Sequence, residues 1–149
     1  DYAQADADFN GYEFEVGRSF STNNGELQIS YGREEVVGTF ASGGNVPRIT
    51  PIKNVYRFAL EQRDVTYDIK IMDVQKEDDI GFGESVTEGY TMVDFDIRRS
   101  IAIGSNEELV LSVFGRNLMD EKARNHTSYV KNEVPLAGRN FGIKLNFNF

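Results

Sequence analysis

Apolar residues alternate with polar or small residues in seven separate segments of the chain, and this two-residue period is typical of β-strands with two different faces. The segments begin near residues 11, 27, 56, 65, 91, 109 and 141. The last is the most regular, because its apolar positions continue to the end: Phe141, Ile143, Leu145, Phe147 and Phe149. The pattern predicts an all-β protein with seven strands.

The connections between these segments alternate between short and long. We predict short polar turns at residues 21–25, 63–64 and 104–107, and long polar breaks at about residues 38–51, 73–89 and 120–138. Antiparallel strands connected in this way have tight turns at one end of the sheet and long loops at the other. Outer-membrane barrels have this asymmetry, with short periplasmic turns and long extracellular loops. The sequence therefore predicts an antiparallel transmembrane β-barrel.

Seven is an odd number, whereas single-chain bacterial barrels have an even number of strands. We therefore expect residues 1–149 to be the C-terminal part of a larger barrel whose other strands precede Asp1. The N-terminus shows no charged and apolar leader, so any signal peptide lies elsewhere or was removed. No stretch approaches the 18 or so consecutive apolar residues of a membrane helix.

Each predicted strand has one apolar face, expected to meet lipid, and one polar face, expected to line a wet lumen. Charged residues expected on the lumen face, in contact with solvent and a plug, include Glu13, Glu15, Asp68, Lys70, Asp94 and Arg98. Tyrosines that can contribute to aromatic girdles at the membrane interfaces are Tyr12, Tyr31, Tyr56, Tyr67 and Tyr90.

Three arginines fall on the face expected to meet lipid. Arg18 and Arg99 lie near the short turns, where a long side chain can reach the lipid headgroups. Arg33 lies farther into its strand. Either a bulge shifts the register after Tyr31, or the strand has already left the hydrocarbon at that point.

Composition narrows the class of partner. The chain carries a net charge of −8, which argues against nucleic acid, because affinity for nucleic acid comes mainly from Lys and Arg at phosphates. Cysteine is absent, which excludes disulfides, thiolate zinc sites and cysteine nucleophiles. The sequence shows no recognisable set of catalytic residues, so we expect neither an enzyme nor a covalently bound cofactor.

Several short phrases resemble the C-terminal region of TonB-dependent outer-membrane receptors. They are DFNGYE at residues 8–13, GYTMVD at 89–94, FGRNLMD at 114–120 and PLAGRNF at 135–141. The resemblance implies a 22-stranded barrel around a plug domain in the bacterial outer membrane. It also implies that TonB supplies energy through an N-terminal region that these 149 residues do not include.

The terminal strand is similar to the assembly signal of that family. The residues that match are Asn140, Gly142, Leu145, Phe147 and the final Phe149. An apolar strand with a free edge is suited to edge-to-edge addition. We therefore expect the outer-membrane assembly machinery and outer-membrane lipid as partners. The alternative is an ordinary amphipathic strand.

His126 is the only histidine, and residues 123–129 around it resemble a loop in the zinc-uptake branch of the family. Imidazole is a common zinc ligand, but a zinc site needs three or four donors. The alternative is a surface histidine that is hydrogen-bonded within an ordered loop. His126 is therefore a candidate metal ligand whose partner ligands would come from elsewhere.

The second long break is strongly acidic. Its carboxylates are Asp73, Glu77, Asp78, Asp79, Glu84 and Glu88. Clustered carboxylates concentrate cations, so Glu77, Asp78 and Asp79 are candidate ligand-binding residues. The alternative is a solvated loop with no such role.

Taken together, these features predict an outer-membrane receptor that imports a scarce metal ion or metal chelate, zinc or iron carried by a siderophore. A passive porin-type channel is one alternative. A soluble all-β ligand-binding domain, such as a small sandwich or lipocalin-like barrel, is another.

Overall fold

The computed structural model describes residues 4–104 and 107–149. Its strands are β1 (Ala7–Thr22), β2 (Gly25–Phe40), β3 (Lys53–Gln62), β4 (Val65–Val74), β5 (Tyr90–Ala102), β6 (Glu108–Arg116) and β7 (Asn140–Asn148). They form one antiparallel sheet in which every strand pairs with its neighbours in the chain, in the order β1-β2-β3-β4-β5-β6-β7. The prediction of seven antiparallel strands is confirmed. Residues 4–104 and 107–149 contain no helix that is long and apolar enough to cross a membrane.

β1 and β2 are longer than the alternation predicts. Each has 16 residues, whereas the alternating pattern of the first strand covers only residues 11–20. The additional pairs, such as Asp8 with Thr39 and Phe9 with Gly38, do not continue the alternation, because Phe9 falls on the face opposite Tyr12. Backbone pairing satisfies the peptide groups whatever the side chains are. The β1–β2 hairpin therefore projects beyond β3, whose first residue, Lys53, pairs with Glu34.

The short turns and the long loops lie at opposite ends of the sheet, as predicted. Thr22 pairs with Gly25, so only residues 23–24 make the first turn. The turn at residues 63–64 is confirmed. The turn predicted at residues 104–107 includes Ser105 and Asn106, which lie outside the described residues. We call the long connections loop 1 (residues 41–52), loop 2 (75–89) and loop 3 (117–139).

The register around Arg33 is continuous. Val16 pairs with Tyr31 and Phe14 pairs with Arg33, so β1 and β2 remain in step on both sides of this position. A bulge after Tyr31 is therefore the wrong explanation for an arginine on the apolar face.

The sheet has an apolar face and a charged face rather than a core between two layers. Val74 and Ala123 are the only hydrophobic residues that are buried in the described part of the chain. On β7, the side chains of Ile143 and Leu145 are 71% and 65% exposed. The apolar side chains of the strands are thus displayed on one surface of the sheet.

Two glycines allow aromatic rings to lie flat across neighbouring strands. Gly115 pairs with Phe95 on one side and Phe141 on the other, and the two rings approach to 6.4 Å between centroids. A Cβ atom at Gly115 would lie 2.5 Å from the Phe95 ring. A Cβ atom at Gly142 would lie 2.2 Å from the Phe114 ring, which covers it on the opposite face. Gly142 therefore has a packing role in addition to its place in the predicted assembly signal.

Candidate functional site

The charged face carries ion pairs that link neighbouring strands. Arg57 on β3 donates a hydrogen bond of 2.7 Å to Asp68 on β4. Arg116 on β6 donates two hydrogen bonds of 2.8 Å to the carboxylate of Asp96 on β5. An open cavity of about 420 Å³ borders these pairs and the predicted lumen residues Glu13, Glu15, Lys70 and Asp94. The arrangement gives this face a dense array of charges of both signs.

Arg98 lies on the same face but closer to the short turns, where it is opposite Thr66 and Ser112. Tyr90 also differs from the other tyrosines that were expected in the girdles. It borders a small cavity of about 80 Å³ together with His126. The tyrosine is next to loop 2 because it is the first residue of β5, and it faces the side opposite the apolar residues because its position has the opposite parity.

Loops 2 and 3 meet in a buried polar cluster. The exposed fractions of His126, Thr87 and Lys131 are 2%, 4% and 6%. The Lys131 ammonium donates hydrogen bonds to the carbonyl oxygen of Ser85 at 2.5 Å and to the hydroxyl oxygen of Thr87 at 2.9 Å. Its third hydrogen bond, of 3.2 Å, goes to Nδ1 of His126. An ammonium has three donors and no acceptor, so the buried lysine is fully satisfied.

The partners of His126 assign its proton to Nε2. Because the Lys131 ammonium can only donate, Nδ1 must be an acceptor. The Thr87 hydroxyl also lies 2.9 Å from Nδ1. Nε2 lies 3.4 Å from the carboxylate of Glu84. His126 is therefore a neutral imidazole that bridges the two loops.

Glu84 and Arg48 extend the contact to loop 1. The Glu84 carboxylate accepts hydrogen bonds from the backbone N–H of Arg48 at 2.8 Å and of Gly81 at 3.0 Å. The Arg48 guanidinium lies over the ring of Tyr129 in loop 3, 3.1 Å from its centroid. The side chains that join the three long loops, called the loop cluster below, are Arg48, Glu84, Thr87, His126 and Lys131. The cluster holds the loops as one unit.

Burial holds the pKa of His126 below its usual value of 6.5, and the positive charges of Lys131 and Arg48 lower it as well. Glu84 acts in the opposite direction and raises the pKa of the imidazole. The balance favours the neutral form, in agreement with the hydrogen bonds of Nδ1.

We expect loops 2 and 3 to loosen as the pH falls below 6.5, the usual pKa of histidine. In open loops the imidazole has this usual pKa and takes up a proton sooner than it does in the cluster. The open state therefore binds more protons, and the stability present at neutral pH is lost as the pH falls through 6.5 towards the lower pKa of the folded loops. Amide hydrogen exchange of loops 2 and 3, compared at about pH 5 and about pH 7.5 and corrected for intrinsic rates, measures this loss.

The matched control is His126→Gln, which does not titrate. Burial raises the pKa of Glu77 in loop 2, so protonation of that carboxyl stabilises the folded loop at low pH. This effect on loop stability is opposite to that of His126. The variant should therefore show no loosening on acidification. An equal loss of protection in both proteins would rule out His126 as the titrating group.

The structure does not bring His126 together with the predicted acidic ligands. Glu77, Asp78 and Asp79 border a separate cavity of about 270 Å³ between loops 1 and 2. Asp78 pairs with Lys76 at 3.0 Å. Across residues 4–104 and 107–149, no three His, Cys, Asp or Glu side chains form a group suited to a metal ion. Metal binding by His126 therefore stays a prediction, and in this conformation both of its ring nitrogens already face polar partners.

Asn117, which begins the NLMD phrase, fixes the base of loop 3. It is 2% exposed and has a positive φ of 49°. Its side-chain amide donates to the carbonyl oxygens of Glu121 at 2.9 Å and Ala137 at 3.1 Å, and accepts from the Glu121 N–H at 2.9 Å. Its backbone N–H donates to Asp94 on β5 at 2.9 Å. One side chain thus joins both ends of the loop.

The other residues of the same phrase complete this attachment. The Leu118 N–H donates to the carbonyl oxygen of Val93 at 2.9 Å. The Asp120 carboxylate accepts the backbone N–H of Arg139, which directly precedes β7, at 2.9 Å. The phrase therefore ties the start of loop 3 to β5 and holds the residue that precedes β7.

The predicted assembly residues lie on or directly after the edge strand β7. Asn140, Gly142, Leu145 and Phe147 belong to the strand, and Phe149 follows it. The rings of Phe147 and Phe149 approach to 5.9 Å. Recognition by assembly machinery stays a prediction.

Known proteins resemble this chain in structure. A solved structure named Copper transporter OprC superposes with a TM-score of 0.77 at 21% identity, covering 97% of this chain and 24% of that chain. The likeness shows the fold. The present chain thus spans about a quarter of the length of OprC. No family model and no curated protein matches by sequence.

The sequence alone does not reveal the loop cluster. Lys131 and Thr87 lie in polar stretches that look solvated. The acidic stretch that contains Glu84 is compatible with cation capture or with a solvated loop, although the Glu84 side chain is only 5% exposed. The sequence carries only a weak indication that loop 3 is packed: the loop contains Ala123, an apolar residue that is buried in the structure. Which polar residues of a loop become buried depends on the other loops, and local patterns carry no such information.

Proposed function

We propose that this chain is the C-terminal part of a TonB-dependent receptor that forms a 22-stranded barrel in the bacterial outer membrane and imports a scarce metal ion or metal chelate. The observation that carries the proposal is the pair of unlike faces of the sheet. Ile143 and Leu145 on the apolar face are well over half exposed, while the opposite face carries ion pairs such as Arg57 with Asp68. Lipid on one side and a wet lumen on the other account for both faces.

The open edges of the sheet support a larger barrel. In the described part of the chain, β1 and β7 each pair with one neighbour only. Unpaired strand edges are not tolerated in hydrocarbon, so both edges need further strands there. The share of OprC that the chain matches, 24%, leaves room for them.

The cargo is proposed from two likenesses. The short phrases of the sequence resemble TonB-dependent receptors, and the similar solved structure is named a copper transporter. Copper, zinc and a ferric siderophore all fall within the proposed class. TonB would act through the N-terminal region, and β7 would engage the assembly machinery. We propose no catalytic role and no covalent cofactor.

Metal uptake by cells that express the full-length protein tests this proposal. We expect cells given copper or zinc chloride, or a ferric siderophore, to accumulate one of these metals faster than cells without the protein, and only when TonB is present. Accumulation that is independent of TonB, together with ohmic conductance in planar bilayers, would favour the passive porin. A full-length protein that is soluble and monomeric without detergent would favour the soluble domain.

A further inference from the structure

The apolar face ends, towards the long loops, in a row of polar side chains that runs across five strands. We call this the polar row; its members are Tyr12, Arg33, Glu35, Asn54, Asp73 and Thr91. Arg33 pairs with Glu35 at 2.7 Å and donates to the hydroxyl oxygen of Tyr12 at 2.8 Å. The Tyr12 hydroxyl in turn donates to Glu35 at 2.7 Å. The positive charge on the apolar face is therefore matched by a carboxylate beside it.

The hydrogen bonds continue without interruption to β5. Asn54 accepts from Arg33 at 3.2 Å and donates to Asp73 at 3.4 Å. The Thr91 hydroxyl donates to the other oxygen of Asp73 at 3.1 Å. Asn54 is 6% exposed although it lies on the apolar face. The row is thus a connected set of polar groups in which each member has a hydrogen-bond partner within the row.

Aromatic rings lie directly beside the polar row on the side of the short turns. The ring centroids of Phe14 and Tyr31 are 5.7 Å apart, and those of Tyr31 and Tyr56 are 5.0 Å apart. The Tyr31 hydroxyl donates to Asn54 in the polar row at 2.9 Å. Aromatic residues with a polar end are enriched where hydrocarbon meets water in membrane barrels.

A second charged pair limits the apolar face at the short-turn end. Arg99 donates to Asp64 at 2.9 Å. On the apolar face of β4, the residues between Asp64 and Asp73 are Val65, Tyr67, Ile69 and Ile71. The nine steps from Asp64 to Asp73 extend about 30 Å at about 3.3 Å per residue. A strand tilt of about 40° reduces this to about 23 Å along the membrane normal, close to the apolar band of about 25 Å in membrane barrels.

We infer that Asp64 and Asp73 bracket the lipid-facing surface of β4 and that the partner of this surface is the acyl-chain layer of a bilayer, with the polar row at its outer limit. In a barrel of tilted strands, a row at right angles to the strands cannot lie parallel to the membrane plane. Its members therefore reach different depths, and hydrogen bonding within the row allows the deeper ones to border hydrocarbon. The inference rests on the proposed function, because it requires that the sheet crosses a membrane.

Spin labels at single cysteines test the inference in the full-length protein, reconstituted in vesicles of phosphatidylcholine and phosphatidylglycerol. The substitutions are Ile69→Cys and Ile71→Cys for the apolar face, Asp73→Cys and Thr91→Cys for the polar row, and Lys70→Cys as the control on the charged face. Oxygen concentrates in hydrocarbon and a polar nickel chelate is excluded from it. We expect the ratio of oxygen to nickel collisions to be on the order of tenfold higher at 69 and 71 than at 73, 91 and 70.

The outcomes separate this inference from the proposed function. Labels at 73 and 91 that are as oxygen-rich as the label at 69 would overturn the polar row as the outer limit. A label at 71 with a collision ratio as low as that of the label at 70 would also overturn this limit, because the hydrocarbon would then end before residue 71. If the labels at 69 and 71 both match the control, no lipid covers the face and the proposed function fails as well. Labels at 69 and 71 that neither reagent reaches would show a protein partner in place of lipid.

Discussion

Replacing Asn117 with alanine should destabilise the base of loop 3 by about 3–5 kcal/mol. Three side-chain hydrogen bonds to the backbone of Glu121 and Ala137 would be lost, at about 1 kcal/mol each or more where a buried partner is left unpaired. The positive φ of this position adds a smaller cost, because alanine tolerates the left-handed region less well than asparagine does. Native-state hydrogen exchange in the full-length protein should show a large loss of protection at the Glu121 amide.

Two variants separate the causes. Asn117→Gly keeps the backbone conformation and loses the side-chain bonds, so it should recover only about 1 kcal/mol relative to alanine. Asn132→Ala, at an exposed position of the same loop, should change protection by less than about 0.5 kcal/mol. Full protection in Asn117→Gly would show that the amide hydrogen bonds contribute nothing.

Replacing Lys131 with methionine should open the contact between loops 2 and 3 at a cost of about 2–4 kcal/mol. Methionine keeps the length of the side chain but leaves the Ser85 carbonyl and Nδ1 of His126 without this donor. Hydrogen exchange of loop 2 in the full-length protein measures the change.

The matched control for this experiment is Lys122→Met, because Lys122 is an exposed lysine of the same loop. It should leave the exchange of loop 2 unchanged. Apolar replacement of a buried charge is sometimes neutral or stabilising. Unchanged or increased protection in Lys131→Met would therefore mean that the buried lysine does not hold the loops together.

Alternation of side chains was sufficient to predict the sheet. A residue such as Ile143 and its neighbour Gly142 face opposite sides whatever the rest of the molecule does, because the strand period is two. The same reasoning underestimates β1, whose first residues, such as Asp8 and Phe9, pair through the backbone but do not continue the alternation that starts at Tyr12. Strand ends are set by peptide hydrogen bonds that the pattern does not record.

The loops and the polar row could not be predicted in this way, because they depend on contacts between distant segments. Lys131 meets Thr87 across 44 positions of the chain, and Arg33 meets Asn54 across 21. The sequence marked Arg33 as an exception on its face, which was correct, but its neutralisation by Glu35 required the structure. His126 was likewise marked as unusual, while its partners were not.

The order of strands follows the order of the chain without exception, and this has a consequence for how the sheet can form. No strand has to wait for a remote segment, so hairpins can be added one after another along the chain. Loop closure becomes more expensive only slowly with length: residues 117–139 are roughly twice as many as residues 41–52, which costs only about 0.6 kcal/mol more. The strand that joins last is thus at little entropic disadvantage.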